Sequence, residues 1–256
     1  MNYKISKTGI KALLYSPSQE YEKELEAEII KCGVNPKSII IRYGYTYECL
    51  ATATFNTITL DPIIYSESHK DPQAIITKEI IEKHILPSQP EAVKDRLNMI
   101  NEIFSPDAQR FVFKHELGHI VYNYSYKKLI WVGIIGFVMT YFGILATLST
   151  VHLNGLLSIF LGIAIASIID LFLTYFSNLI FKSQEEKKAD LFAAKHSSAQ
   201  EINAAANFFE KFYYIQADAN KIAGGLYSKI PSIILSGHYN GKTRAKYLRK
   251  EIDYKN

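Results

Sequence analysis

The chain has 256 residues, 48% of them hydrophobic, and 29 Lys and Arg against 25 Asp and Glu give a net charge of +4. That length allows one domain of moderate size, and a charge excess this small, with no basic–aromatic patch or RNA motif, speaks against nucleic-acid binding. The two cysteines, Cys32 and Cys49, exclude a disulfide framework and lack metal-ligand spacing, so they read as free thiols in a reducing compartment.

In chain order, Met1 to Ser16 is basic, but its apolar run Ala12-Leu13-Leu14-Tyr15 is too short for the core of a signal peptide, and no export signal is visible. The spacing of Tyr21, Leu25 and Ile29 predicts a helix over Ser18 to Cys32. Ser38 to Tyr43 and Leu50 to Leu60 are rich in β-branched residues and read as strands of a small sheet. The alternation from Ala51 to Leu60 suits a sheet edge, where a peptide could add as a further strand, or equally a packed interior strand. Ile75 to His84 reads as a helix, Leu86-Pro87-Ser88-Gln89-Pro90 breaks it, and Glu91 to Phe104 reads as another.

A helix from Pro106 to about Tyr124 is then expected, with Ser105 as its cap, Pro106 at its first position and Asp107 at the positive end of its dipole. It carries His115-Glu116-Leu117-Gly118-His119. The H-E-x-x-H spacing sets two imidazoles about 40° apart on one helical face with a carboxylate beside them, the arrangement of a zinc hydrolase. Zinc requires a third protein ligand. A metzincin would place a histidine six residues after His119, but Ser125 stands there. Glu186 and Asp190, one turn apart on a later helix, offer the ligand instead: one of them can bind metal while the other orients a ligand histidine.

Between the two motifs, Leu129 to Thr150 and Gly155 to Phe181 are almost uninterrupted apolar segments, joined by Val151-His152-Leu153-Asn154. Each matches the roughly 20 helical residues that span a bilayer, which predicts a transmembrane helical hairpin over 129–181. Asp170 is its one acidic residue, placed to meet Thr140 or Tyr141 across the hairpin. Lys127 and Lys128 precede the hairpin, Lys182, Lys187 and Lys188 follow it, and the tip carries neither lysine nor arginine, so both termini and the site are expected on the cytoplasmic side. Past the hairpin, Gln200 to Ala217 reads as an amphipathic helix, and Ala223-Gly224-Gly225 opens a loop region that ends in a basic tail.

H-E-L-G-H, a pair of apolar spans, and then Glu186-x-x-Ala189-Asp190-x-Phe192-Ala193-Ala194 resemble the membrane zinc endopeptidases of the HtpX and CAAX prenyl protease type. Ser236-Gly237-His238, with Arg244 six residues later and then Leu248, is similar to the same family's C-terminal stretch; unlike the HtpX branch, Tyr239 follows the histidine and a polar region precedes the first motif. The resemblance implies a mainly helical α+β fold: a zincin-like catalytic domain of gluzincin type, interrupted by the hairpin. Residues 1–104 form its N-terminal α+β part, 105–128 the motif helix, 129–181 the hairpin, and 182–256 a helical part with the third ligand. It further implies one zinc ion held by His115, His119 and Glu186, with Asp190 orienting a ligand, Glu116 as the catalytic carboxylate, and His238 acting on substrate.

The expected reaction is hydrolysis of a protein or peptide substrate at the surface of a lipid bilayer. Zinc supplies Lewis acidity, Glu116 takes the proton of the attacking water and passes it to the leaving amine, and His238 or Arg244 stabilises the oxyanion. The alternative is a membrane-anchored zinc-binding interaction protein that does not cleave. His69, His84, His152 and His196 have no supporting spacing and read as structural or surface residues.

Overall fold

The computed structural model describes residues 15–44, 50–84, 98, 102–122, 125–150, 155–223 and 240–255. The chain divides into two compact units, the first made of Met1–Tyr122, Lys187–Lys229 and Asn240–Asn256, the second of Asn123–Glu186 and Ile230–Tyr239. The dividing point between residues 186 and 187 falls inside one continuous helix.

In the first unit, α1 (Gln19–Lys31) forms where expected, with Ser18 accepting from the Tyr21 N–H and with Tyr21, Leu25 and Ile29 buried. It ends at Gly33, whose φ of 73° lets the Val34 N–H turn back to the Ile29 carbonyl at 3.2 Å. A 3-10 turn, Pro36–Ser38, takes up the start of the first expected strand, so β1 is Ile40–Tyr43.

The expected run from Leu50 to Leu60 is not one strand. It folds back at Phe55-Asn56 into β2 (Ala51–Thr54) and β3 (Thr57–Leu60), with Phe55 at φ 54°. A bulky residue in the left-handed region is uncommon, and here the two-residue hairpin requires it. Sheet order is β1-β3-β2, with β1 parallel and β2 antiparallel to β3. The second half of the alternating run is therefore the central strand, with Ile58 and Leu60 fully buried, and only its first half lies at an edge.

Asp71 starts α2 (Pro72–His84) by accepting from the Gln73 N–H, and its other carboxylate oxygen accepts from the Ser18 N–H, tying α2 to α1. Of the helix expected over Glu91 to Phe104, most lies outside the described residues; Asn98, Glu102 and Ile103 are helical. The motif helix α3 (Pro106–Val121) has the expected cap, Ser105 accepting from the Ala108 N–H. Every residue from Ala108 to Gly118 except Arg110 is buried, so α3 has almost no solvent face and forms the centre of the unit.

Two later helices close around it. Ser198 and Glu201 form a capping box that begins α6 (Ala199–Ala223): the Glu201 N–H donates to Ser198 Oγ at 3.2 Å and the Ser198 N–H to Glu201 Oε2 at 2.8 Å. The expected basic tail is in fact a helix, α7 (Gly241–Asp253), capped by Asn240 and burying Ala245 and Leu248. A side chain at Gly241 would stand 2.0 Å from the Phe209 carbonyl oxygen, so only glycine lets α7 start against α6. Cys32 is a buried free thiol, and Cys49 lies outside the described residues.

The second unit is built on α4 (Ser125–Thr150) and the first part of α5 (Gly155–His196). The two helices run antiparallel and meet at small residues. A Cβ on Gly162 would stand 3.3 Å from Leu145, and one on Gly136 would stand 3.1 Å from Asp170 Oδ1. That oxygen is buried without a hydrogen-bond partner among the described residues.

The motif helix, expected to about Tyr124, is described to Val121 with Tyr122 as its cap. Among the described residues no helix is long and apolar enough to cross a membrane. The described fold therefore does not support the expected transmembrane hairpin.

Candidate metal centre

Helix α3 presents His115, Glu116 and His119 as the 3.6-residue period dictates, with His115 and Glu116 buried and His119 partly so. The two imidazole Nε2 atoms lie 3.1 Å apart, with the rings nearly perpendicular. Helix α5 supplies Glu186 and, one turn on, Asp190, both buried. One ligand atom from each of His115, His119 and Glu186 lies within 4.8 Å of the other two, so the group could hold a metal ion.

The expected partnership of Asp190 with a ligand histidine is also present, with His115 Nδ1 at 2.8 Å from Asp190 Oδ1. Burial would push the Asp190 carboxyl up, but the charges of Arg244 and His115 and their hydrogen bonds outweigh it and hold the group well below the usual carboxylate range. The His115 ring thus meets the carboxylate through Nδ1 and turns its Nε2 toward His119. Two imidazole nitrogens at 3.1 Å beside a buried carboxylate form a donor set that suits a borderline cation such as zinc.

Arg244 is placed differently from the expectation that it meets an oxyanion. Its Nε donates to Asp190 Oδ2 at 2.9 Å and its Nη2 to Oδ1 at 2.6 Å, while the guanidinium carbon stands 3.7 Å above the centre of the Phe209 ring. Tyr247, one turn further along α7, donates its hydroxyl to Asp190 Oδ2. Neither contact was expected, because the segment read as a basic tail; Asn240 as cap and the Ala245–Leu248 spacing are the signals that would have revealed the helix. His238 lies outside the described residues.

The far side of α3 holds a second unanticipated feature. Lys114, directly before His115, is buried and donates to Glu201 Oε2 at 2.9 Å, with Glu28 at 3.7 Å. Arg110, one turn earlier, reaches Glu201 Oε1 at 3.1 Å and Glu67 at 3.0 Å, and pairs with Asp107. A buried ammonium requires such partners, and here they fasten α3 to α1 and α6.

With both motifs at one centre, the comparison that decides the family is a match of residues 73–252 to the model of peptidase family M48. The chain belongs to peptidase family M48. No curated relative and no solved structure matches it. This M48 protein is thus a metallopeptidase, a hydrolase of peptide bonds acting on proteins or peptides, and its family is typically zinc-dependent.

Proposed function

We propose that the protein is a membrane-anchored zinc endopeptidase in which His115, His119 and Glu186 hold the ion and Glu116 is the catalytic carboxylate. The observation that carries this reading is the convergence of the three ligand atoms within 4.8 Å, with Asp190 behind His115. Zinc, when bound, supplies Lewis acidity toward a scissile carbonyl and the attacking water.

The chain's own residues supply the rest. Asp190 fixes the tautomer and direction of His115. Glu116, beside His115 on α3, takes the proton of the attacking water and later delivers it to the leaving amine, a role that needs a group able to act as base and then as acid. The motifs are shared by the HtpX-type and CAAX-type branches, and nothing in the sequence calls for a prenylated substrate.

Membrane anchoring is supported by the sequence from 129 to 181, where Asp170 is the one residue among Asp, Glu, Lys and Arg. It is supported too by large apolar side chains turned outward on α4 and α5, among them Trp131 at 63%, Met139 at 72% and Leu171 at 74% exposure. Contiguous apolar surface of this kind is rarely left to water. Lysines flanking the apolar segments support a cytoplasmic side for the termini and the site, where membrane-proximal loops and unfolded segments would be the substrates within reach.

The test is to identify cleaved protein termini in membranes carrying wild-type protein or Glu116→Gln. Termini present with wild type and absent with the variant support the endopeptidase; identical sets of termini refute it.

A further inference from the structure

We propose that Tyr247 and Arg244, on the C-terminal helix, are positioning residues that set the metal affinity of the site by locking Asp190, an inference that rests on the zinc-peptidase reading above. Asp190 is completely buried and is met on both oxygens. Oδ1 faces His115 Nδ1 at 2.8 Å and Arg244 Nη2 at 2.6 Å, while Oδ2 accepts from Arg244 Nε at 2.9 Å and from the Tyr247 hydroxyl. A carboxylate has about four lone-pair positions, and all four are used.

That saturation matters because the terminal torsion of aspartate is otherwise broad, with little preference among orientations. A fork of two guanidinium bonds fixes the carboxylate plane. The tyrosine hydroxyl adds a third bond from the same helix face, one turn away, and closes the last acceptor position. Only His115 is left for the carboxylate to aim at, and its ring is held with Nε2 toward His119, where the ion must sit.

Helix α7 is itself held rigidly enough to serve as the reference. Its first residue, Gly241, abuts the Phe209 carbonyl, Arg244 stacks on the Phe209 ring, and Arg249 donates to Asn207 at 3.0 Å and to Glu210 at 2.5 Å. At its end, Lys255 donates to the Lys195 carbonyl at 3.3 Å and to that of Ser197, so the last turn of α5 is tied to the same helix. The chain thus brings its C-terminal segment back to grip the residue that aims its first metal ligand. Arg244 serves the ion through two intermediaries and does not touch substrate.

The experiment uses full-length protein with zinc alone as the probe, in competition with a chromophoric chelator, and compares wild type, Tyr247→Phe and Arg244→Lys. Tyr247→Phe keeps the ring and removes only the hydroxyl, so the expected result is zinc binding weaker by about 10-fold, in the range for loss of an outer partner of a metal ligand. The melting temperature of the metal-free protein should stay within about 2 °C of wild type. Arg244→Lys keeps the charge but loses the fork and should weaken zinc further, with kcat falling and KM unchanged once zinc is saturating.

Wild-type zinc affinity in both variants would overturn the positioning role. A raised KM in Arg244→Lys with zinc affinity intact would make Arg244 a substrate contact and overturn it as well. Wild-type protein that takes up no zinc would overturn the zinc reading itself, and this inference with it.

Discussion

Gly118 and Ala189 meet backbone to backbone: a Cβ built on Gly118 would stand 2.9 Å from Ala189 Cα, 3.1 Å from the Ala189 carbonyl oxygen and 3.2 Å from Phe192 Cβ. Gly118 lies between the two motif histidines and Ala189 directly precedes Asp190, so this contact sets how near the acid comes to His115. Alanine at 118 would gain about 1 kcal/mol of helix propensity. The added methyl has no room, however, and forced shifts of packed backbone cost about 1–3 kcal/mol.

Gly118→Ala should therefore lower the melting temperature despite its better helix former, and should weaken zinc more than it weakens the fold, because Asp190 moves off His115. Thermal melts and chelator competition check this. A variant equal to wild type in both would show that the close approach is not needed.

The Lys114–Glu201 pair gives a second expectation. Both side chains are largely out of water, 4% and 11% exposed, so Lys114→Met leaves a buried carboxylate with only Arg110 and the Ser198 N–H. Breaking a buried pair in this way costs about 3 kcal/mol. The double variant Lys114→Met with Glu201→Gln should recover more than half of that loss, since no buried charge is then stranded. Chemical denaturation of the three variants measures it, and strict additivity of the two single effects would argue against coupling.

The same glutamate predicts an acid limb. Burial would raise the Glu201 carboxyl, but hydrogen bonds from Lys114, the Ser198 N–H and Arg110, with the charge of Lys114, outweigh it and hold the group below the ordinary glutamate range. With a folded value lower than the unfolded one, Glu201 stabilises the fold fully above about pH 4.3, and this contribution is lost as pH falls through the folded value. The melting temperature of Glu201→Gln should consequently approach that of wild type as pH drops from 6 to 3. Curves that stay parallel over that range would remove Glu201 from the acid response.

Topology is open to direct labelling. The lysines on both flanks of the apolar segments, with none at the tip, predict that a cysteine placed at Asn154 reacts with an impermeant thiol reagent from the non-cytoplasmic face of sealed membranes. Labelling from the cytoplasmic face alone would reverse the orientation. Release of the protein from membranes by alkaline carbonate would remove the hairpin as an anchor.

The sequence showed the site more readily than the surroundings that hold it. The grouping of His115, His119 and Glu186, with Asp190 against His115, was legible because metal chemistry calls for these residue types and helical geometry fixes their spacing. The capped starts of α1 and α3 were legible because Ser18 and Ser105 act locally. The hairpin between β2 and β3 was not, because its turn is Phe55-Asn56 with a phenylalanine where glycine or asparagine is the usual signal. Helix α7 was hidden because its lysines and arginines outweigh the two residues it buries. The roles of Arg244, Tyr247 and Lys114 were out of reach, since each depends on a partner more than 50 residues away that only the fold brings near.

The most direct test of the zinc endopeptidase reading separates the ligand from the catalyst by comparing zinc content and peptide hydrolysis in wild type, Glu116→Gln and Glu186→Gln. Wild type should carry about one zinc per chain. Glu116→Gln should keep that zinc and lose hydrolysis by 10²-fold or more, as removal of a general base does, whereas Glu186→Gln should lose both. Zinc absent from Glu116→Gln but retained in Glu186→Gln, or hydrolysis by Glu116→Gln at the wild-type rate, would contradict the assignment of these two glutamates.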